Sequence, residues 1–336
     1  MDVLLGKTLT ELQDVALSVG LQKFAGKQLA EWLYARRATS FDEMTNISLK
    51  GREALKANYT IGRHAPVKEA VSIDGTRKYL FQIGEQFVET VYIPEEDRTT
   101  LCVSTQAGCK MGCKFCMTGT LGFHGNLSAA DILNQIFYFD DLSNLVFMGE
   151  GEPMDNLDNV LRALEIMTAP YGPAWSPKRI TVSTVGIPAM KRFLDESECH
   201  VAVSMHNPFA VERVQIMPAE KLFSITEVVN LLKQYDFSHQ RRVSFEYICW
   251  AGQNDTMRHA KELLRLLKGL NCRINLIRFH AGVEDIKNER RFPASDEKQM
   301  EFLRDYLTEH GLTTTIRRSR GEDILAACGM LVNSLQ

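Results

Sequence analysis

From residue 99 onward the chain alternates short β-rich runs with amphipathic helical stretches, and this alternation is what most restricts the fold. The β-rich runs fall at 99–105, 143–148, 179–184, 200–205, 242–249, 273–279 and 313–317. Helical periodicity fills most of the gaps, at 128–139, 155–168, 187–196, 224–235, 255–269 and 295–310. Repeated βα units with buried-looking strands demand a parallel sheet with right-handed crossovers. Six units suffice for an α/β architecture in the form of a partial, open barrel of (β/α)6 type. In barrels of this kind chemistry gathers at the C-terminal ends of the strands, which gives a test for every motif that follows.

The strongest motif lies just past the first of these strands. Gly108-Cys109-Lys110-Met111-Gly112-Cys113-Lys114-Phe115-Cys116 places three cysteines at C-x3-C-x2-C spacing. Core packing does not account for such a cluster. Structural zinc prefers four closed ligands in two short pairs, and no second pair follows. A cubane iron–sulfur cluster held by three thiolates keeps one iron open for a substrate or cofactor. Gly112 lets the backbone bend between ligands. Cluster and zinc are the two chemistries this loop allows, and the spacing favours the cluster.

Other strand ends carry polar groups on the same expected rim. Gly149-Glu150-Gly151-Glu152-Pro153 follows the second strand and offers a free backbone edge plus a carboxylate, Glu152, able to hold an ammonium group. Ser183 ends the third strand and Ser204-Met205-His206 the fourth. The serines either hydrogen-bond a ligand or satisfy nearby backbone groups, and a lone histidine is as often structural as functional. His280 follows the sixth strand and Cys328 the last. Cys102 sits within the first strand, seven residues before the cysteine loop. Cys199, Cys249 and Cys272 adjoin apolar strands and read as packing residues.

The rest of the chain frames this region. Residues 1–75 read as a small, weakly basic helical module. Thr8 and Glu11 form a capping box for its first helix, with further helices at about Gly26–Ala38 and Leu49–Ala57. Residues 76–98 hold a β-hairpin joined at Gly84-Glu85, 99–311 the barrel, and 312–336 a C-terminal segment. At 336 residues, 45% hydrophobic and 24% charged, the composition is that of a soluble globular protein. No apolar run reaches about 18 residues, which argues against a membrane span. The N-terminus has no signal-peptide pattern, and irregular cysteine spacing excludes a secreted disulfide framework, so a cytoplasmic location is expected. The net charge of −3 leaves any nucleic-acid contact to local basic patches: Lys178-Arg179, Arg241-Arg242, Arg290-Arg291 and Arg317-Arg318.

Taken together, the cysteine triad, Met148-Gly149-Glu150-Gly151-Glu152-Pro153, Val203-Ser204-Met205-His206, Phe87-Val88-Glu89-Thr90-Val91-Tyr92-Ile93-Pro94 and Gly321-Glu322-Asp323-Ile324-Leu325-Ala326-Ala327-Cys328-Gly329 resemble the RlmN/Cfr family of radical S-adenosylmethionine RNA methyltransferases. The triad alone marks the superfamily, whereas Cys102, triad and Cys328 together mark the family. The resemblance implies a radical-SAM partial barrel in which Cys109, Cys113 and Cys116 hold a 4Fe-4S cluster. It also implies that Gly151, Glu152, Ser183, Ser204, Met205, His206 and His280 contact S-adenosyl-L-methionine. His280 stands where many relatives carry asparagine, and the loop after it, Ala281-Gly282-Val283, also departs from the family pattern.

In the family's scheme two S-adenosylmethionine molecules serve each turnover. One methylates Cys328; the other is reductively cleaved to a radical that takes hydrogen from the methylthio group. The carbon radical adds to adenine, and Cys102 resolves the protein–RNA adduct through a Cys102–Cys328 disulfide, with Glu89 as proton acceptor. The implied substrates are an adenosine of the peptidyl-transferase region of 23S rRNA and the adenosine 3′ to some tRNA anticodons, methylated at C2. An electron donor such as flavodoxin or ferredoxin and a monomeric state belong to the same expectation. C8 methylation of 23S rRNA is the nearest alternative, and a zinc-dependent RNA-binding protein without catalysis the more distant one.

Overall fold

The computed structural model describes residues 1–238, 241–280 and 292–331. In chain order its elements are β1 (Asp2–Val3), α1 (Leu9–Ser18), α2 (Ala25–Ala30), α3 (Leu49–Asn58), β2 (Tyr59–Thr60), β3 (Lys68–Val71), β4 (Arg77–Ile83), β5 (Gln86–Pro94), β6 (Thr99–Cys102), β7 (Gln106–Gly108), α4 (Met117–Leu121), β8 (Phe123–Asn126) and α5 (Ala129–Phe137). They continue with β9 (Asn144–Phe147), α6 (Leu157–Thr168), β10 (Ile180–Thr184), α7 (Met190–Glu196), β11 (His200–Ser204), α8 (Ala210–Ile216), α9 (Ile225–Leu232), β12 (Val243–Cys249), α10 (Met257–Leu267), β13 (Cys272–Arg278), α11 (Glu297–Glu309) and β14 (Thr314–Arg317).

Ten strands form one sheet in the order β14-β13-β12-β11-β10-β9-β6-β5-β4-β3. From β6 to β14 all pairings are parallel, whereas β3, β4 and β5 pair antiparallel. The spatial order follows the chain order without reversal. Each right-handed crossover therefore adds its strand on the same side, which puts the helices on one face and curls the sheet into an open barrel. A doubly wound sheet would reverse direction at a switch point. The expected (β/α)6 partial barrel is what the chain builds.

Helix starts follow local chemistry. Thr8 caps α1 as expected, with the Thr8 N–H donating to Glu11 Oε2 at 2.7 Å. Ser128 and Ser224 form the same box before α5 and α9. Each box satisfies two of the N–H groups that a helix start leaves open. The helix from Ala25 does not stay regular to residue 38: it widens into a π-turn at Glu31–Ala35, where Trp32 Nε1 donates to Asn46 Oδ1 at 2.6 Å.

The N-terminal module shares its core with the barrel. Leu12, Leu29 and Tyr34 belong to the same buried cluster as Phe137 and Leu164. Tyr34 packs on Phe137 and Tyr171, with ring centroids 6.0 and 6.3 Å apart, and Arg162 pairs with Glu11 at 2.6 Å.

Other features also depart from the sequence reading. Lys68–Val71, assigned to the helical module, is the edge strand β3, so the hairpin extension has three strands. Its residues are largely exposed, and an exposed edge strand leaves no apolar alternation to read. The β7–β8 ribbon and α8 were likewise unmarked, because both are too short to show a period. No described helix is long and apolar enough to cross a membrane.

Candidate active site

The cysteine loop hangs from the β7–β8 ribbon. The Cys109 N–H donates to Gly122 O at 2.9 Å, the Cys116 N–H to Cys113 O at 3.1 Å, and the Lys114 N–H to Ile216 O at 2.9 Å. Gly112 adopts φ +61°, a left-handed conformation that side chains disfavour. Cys109, Cys113 and Cys116 all line one cavity of about 160 Å³ at the C-terminal ends of the strands, and none is in a disulfide. Burial pushes the Cys109 thiol up to about 12 and raises Cys113 and Cys116 as well, with the neighbouring thiols adding to the shift in Cys109 and Cys113. These thiols would stay protonated until a cation compensates their charge. Among the described residues no three His, Cys, Asp or Glu side chains converge closely enough for a single ion. Three free thiols brought to one cavity by a single loop are a donor set that fits a 4Fe-4S cluster with one iron left open.

The Gly149–Pro153 turn is held from beneath. Ser104 Oγ donates to Glu89 O at 2.6 Å and accepts from the Glu150 N–H at 2.9 Å. Gln106 Oε1 accepts from the Glu152 N–H at 2.9 Å. Gly151 has φ +96°, and a Cβ there would lie 2.5 Å from the Gln106 side chain, so no larger residue fits. Glu152 lines the cavity. Its Oε2 accepts from the Val185 N–H at 2.9 Å and its Oε1 from the Met154 N–H at 3.1 Å. Burial raises its pKa to about 7 against these hydrogen bonds.

Ser183, Ser204 and His206 line the same cavity, while Met205 is fully buried behind it. His206 has φ +54°. Its Nδ1 accepts from the Ile248 N–H at 3.0 Å, so the other ring nitrogen carries the proton. Burial first, then Arg213, pushes its pKa down to about 3, and the ring acts as a neutral group. Phe115 stands edge-on to it with centroids 4.8 Å apart.

Arg213, which no motif indicated, ties these strand ends together. Its guanidinium donates to Met205 O (3.0 Å), Val185 O (2.6 Å) and Ser204 O (2.8 Å) and pairs with Glu220. A single arginine inside Val211-Glu212-Arg213-Val214 gives no sequence signal for that role.

Cys328 reaches the cavity because its segment is clasped at both ends. Ser72 Oγ and the Ile73 N–H donate to Asp323 (2.5 and 3.1 Å), and the Gly321 N–H to Asp74 at 3.0 Å. At the other end the Met117 N–H donates to Gly329 O at 2.8 Å and Thr118 Oγ1 to Leu331 O at 3.0 Å. The turn between β3 and β4 and the helix after the cysteine loop thus pin residues 321–331. Cys328 is exposed and Cys102 buried; both line the cavity. Burial pushes the Cys102 thiol up to about 12, with Cys328 adding to the shift and Arg317 opposing it.

Glu89 lies outside the cavity lining, buried in β5, where Lys78 Nζ pairs with it at 2.8 Å. The same ammonium donates to Leu325 O at 3.3 Å, which links Glu89 to the Cys328 segment.

His280 falls elsewhere. It bonds Ser319 Oγ at 2.6 Å, lies 3.3 Å from Glu322, and lines a second cavity of about 650 Å³ rather than the cysteine cavity. Ala281-Gly282-Val283 and Arg290-Arg291 lie outside the described residues. This second cavity is lined by Arg98, Lys178, Arg179, Arg242, Arg273, Arg317, Arg318 and Arg320, against Glu95 and Glu246. Three of the four expected basic runs contribute to it, but Arg241 turns inward to Leu194 O. Arg98 and Arg273 escaped notice because each stands apart from those runs in sequence, and Arg320 because Ser319 separates it from Arg317-Arg318. Met148, Glu246, Ile277, Arg317 and Cys328 belong to both cavities, which therefore adjoin. A larger groove of about 1230 Å³, beside the N-terminal module, contains none of the expected site residues.

Residues 3–61 match the family model described as the ribosomal RNA large subunit methyltransferase N-terminal domain, and residues 103–267 match the radical SAM superfamily. The chain is 59% identical to a Bacteroides fragilis protein named "Probable dual-specificity RNA methyltransferase RlmN", over 99% of this chain and 97% of the relative. It is 40% identical to a Christiangramia forsetii protein of the same name, over 97% and 95%. The crystal structure of a radical SAM methyltransferase from Sphaerobacter thermophilus superposes with a TM-score of 0.92 at 34% identity, covering 99% of this chain and 100% of that one. A three-cysteine loop at the mouth of an open barrel, met by a C-terminal cysteine and matched over its whole length by these relatives, makes this chain a member of the RlmN family of radical S-adenosylmethionine RNA methyltransferases.

Proposed function

We propose that the enzyme methylates C2 of adenine in RNA, acting on the peptidyl-transferase region of 23S rRNA and on the adenosine 3′ to the anticodon of some tRNAs. The observation that carries this reading is the position of Cys328 at the junction of the cysteine cavity and the basic cavity. A sulfur there can be serviced from one side and can meet a nucleobase arriving from the other. C2 of adenine is electron-poor and does not attack a sulfonium methyl group, so a carbon radical must be delivered to it.

Cys109, Cys113 and Cys116 would hold the 4Fe-4S cluster. Gly151, Glu152, Ser183, Ser204 and His206 would hold S-adenosylmethionine, with Met205 packed behind. His280, in the basic cavity, is better suited to meet RNA than the cofactor. When bound, cluster and cofactor supply the one-electron reduction that generates a carbon radical. Cys328 carries the methyl group. After addition to the base the adduct must give up one electron, which the bound cluster would accept, together with the C2 proton. Cys102 then attacks the Cys328 sulfur as thiolate, the S–S bond forms, the S–C bond breaks toward carbon, and that carbon takes a proton to become the methyl group. Glu89 takes the proton lost from the base, and Lys78 holds it against the Cys328 segment.

The basic cavity supplies phosphate contacts, so affinity falls with salt, and the target adenosine has to leave its stack to enter. Two S-adenosylmethionine molecules per turnover, a flavodoxin or ferredoxin as electron donor, and a cytoplasmic monomer complete the reading. The test is anaerobic turnover followed by nuclease digestion and mass spectrometry. 2-Methyladenosine is expected; 8-methyladenosine would assign the C8 reaction, and unmodified RNA from iron-loaded protein would refute the proposal.

A further inference from the structure

Glu246, on β12, lines both cavities and is 4% exposed. Its Oε1 accepts from Asn275 Nδ2 at 2.7 Å and Ser244 Oγ at 3.2 Å. Thr315 Oγ1 donates to Asn275 Oδ1 at 2.7 Å, which turns the amide so that its NH2 faces Glu246. Glu246, Asn275 and Thr315 are register partners on three adjacent strands, and the carboxylate is locked by them. Its second oxygen, Oε2, is buried without a hydrogen-bond partner. Arg317 Nη1, which donates to Met148 Sδ at 3.4 Å, forms an ion pair with Oε2 at 3.7 Å, beyond hydrogen-bond reach. Arg317 lines the same two cavities, and the neighbouring Cys328 favours its cationic form. A buried acceptor with an ion-pair partner but no hydrogen bond, at the point where the cavities meet, calls for a reason.

We propose that Glu246 and Arg317 read the target base, with Oε2 accepting the exocyclic N6–H of adenine and the guanidinium donating to N7. An acceptor beside a donor complements the edge on which adenine shows a donor next to an acceptor. Guanine and hypoxanthine present an oxygen where Oε2 would need a hydrogen. Engagement of N6 and N7 also leaves C2, on the opposite edge, free for attack. This inference rests on the adenine-C2 reading above and adds to it the residues that choose the base.

The test uses the full-length, cluster-loaded enzyme and a synthetic anticodon stem-loop with adenosine, purine riboside or 7-deazaadenosine at the position 3′ to the anticodon. Wild type should prefer adenosine over either analogue by roughly 5- to 150-fold in kcat/KM. In Glu246→Ala the preference over purine riboside should shrink to within about threefold, and in Arg317→Met the preference over 7-deazaadenosine should do the same. Comparing preferences within each variant cancels effects on the chemical step. Iron and sulfide content equal to wild type certifies that a variant is folded, and the two arms are independent should one variant fail. Undiminished preference in a folded variant overturns the assignment. Wild type that leaves adenosine unmethylated both here and in a 23S rRNA fragment overturns the functional reading, and this inference with it.

Discussion

Replacing Arg213 by methionine should be among the most damaging single changes outside the cysteines. The residue is 0% exposed, and its guanidinium serves three carbonyls and the Glu220 carboxylate, itself 7% exposed. Methionine fills most of the volume but strands that carboxylate, which keeps only the Ile225 N–H at 3.0–3.1 Å. Breaking one side of a buried pair costs about 3–5 kcal/mol, and the carbonyls that lose a charged donor bring the total to about 4–6 kcal/mol. Urea denaturation of the reduced, cluster-free protein, followed by circular dichroism, measures this directly. Most of the loss comes from the stranded charge, so Arg213→Met combined with Glu220→Leu should recover about half of it. S-adenosylmethionine binding to the single variant should weaken about tenfold or more, because the freed carbonyls belong to the strand ends beside Ser204 and His206. A single variant within about 1 kcal/mol of wild type, or a double variant no better than the single, would refute the strut role.

Three further outcomes follow from the site. Glu152 has a folded pKa of about 7, above its ordinary 4.5, so the stability of its uncharged form is full below 4.5 and is lost as pH rises through 7. The carboxylate that grips an ammonium exists above that value; cofactor affinity measured by equilibrium dialysis should therefore rise between pH 6 and 8, and Glu152→Gln should flatten the rise. Asp323→Ala removes the bonds from Ser72 and Ile73; it should slow methylation about tenfold while iron content is unchanged, and speed alkylation of Cys328 by iodoacetamide. Charge reversal at Arg179 or Arg242 should lower the slope of log affinity against log salt by about 0.7–0.9 per lost phosphate contact, with fluorescence anisotropy of labelled RNA as the assay.

The barrel was legible because its signals are local and repeated. Strands such as Val243–Cys249 are buried almost throughout, and Thr8 with Glu11 marks a helix start within four residues. The cysteine loop and the Gly149–Pro153 turn were legible for a related reason, since each compresses its chemistry into one short segment. What the sequence does not display is chemistry assembled across the fold. The clasp on Cys328 joins Ser72 and Asp74 to Gly321 and Asp323, some 250 residues away, and β3 beneath it is an exposed edge without apolar alternation. Arg213 and Glu246 are single charged residues on a helix and a strand, and only burial among partners from other elements gives them a role. His280 shows the converse: its place after the sixth strand suggested the cofactor rim, and its ring lines the basic cavity, bonded to Ser319 and beside Glu322.

In the proposed reaction Cys328 delivers the carbon to RNA and Cys102 then cuts it loose. Anaerobic turnover of Cys102→Ala with substrate RNA, followed by protease and nuclease digestion and mass spectrometry, tests it most directly. A Cys328 peptide joined through a methylene to adenosine is expected. Iron-loaded Cys102→Ala that cleaves S-adenosylmethionine but never yields that peptide would contradict it.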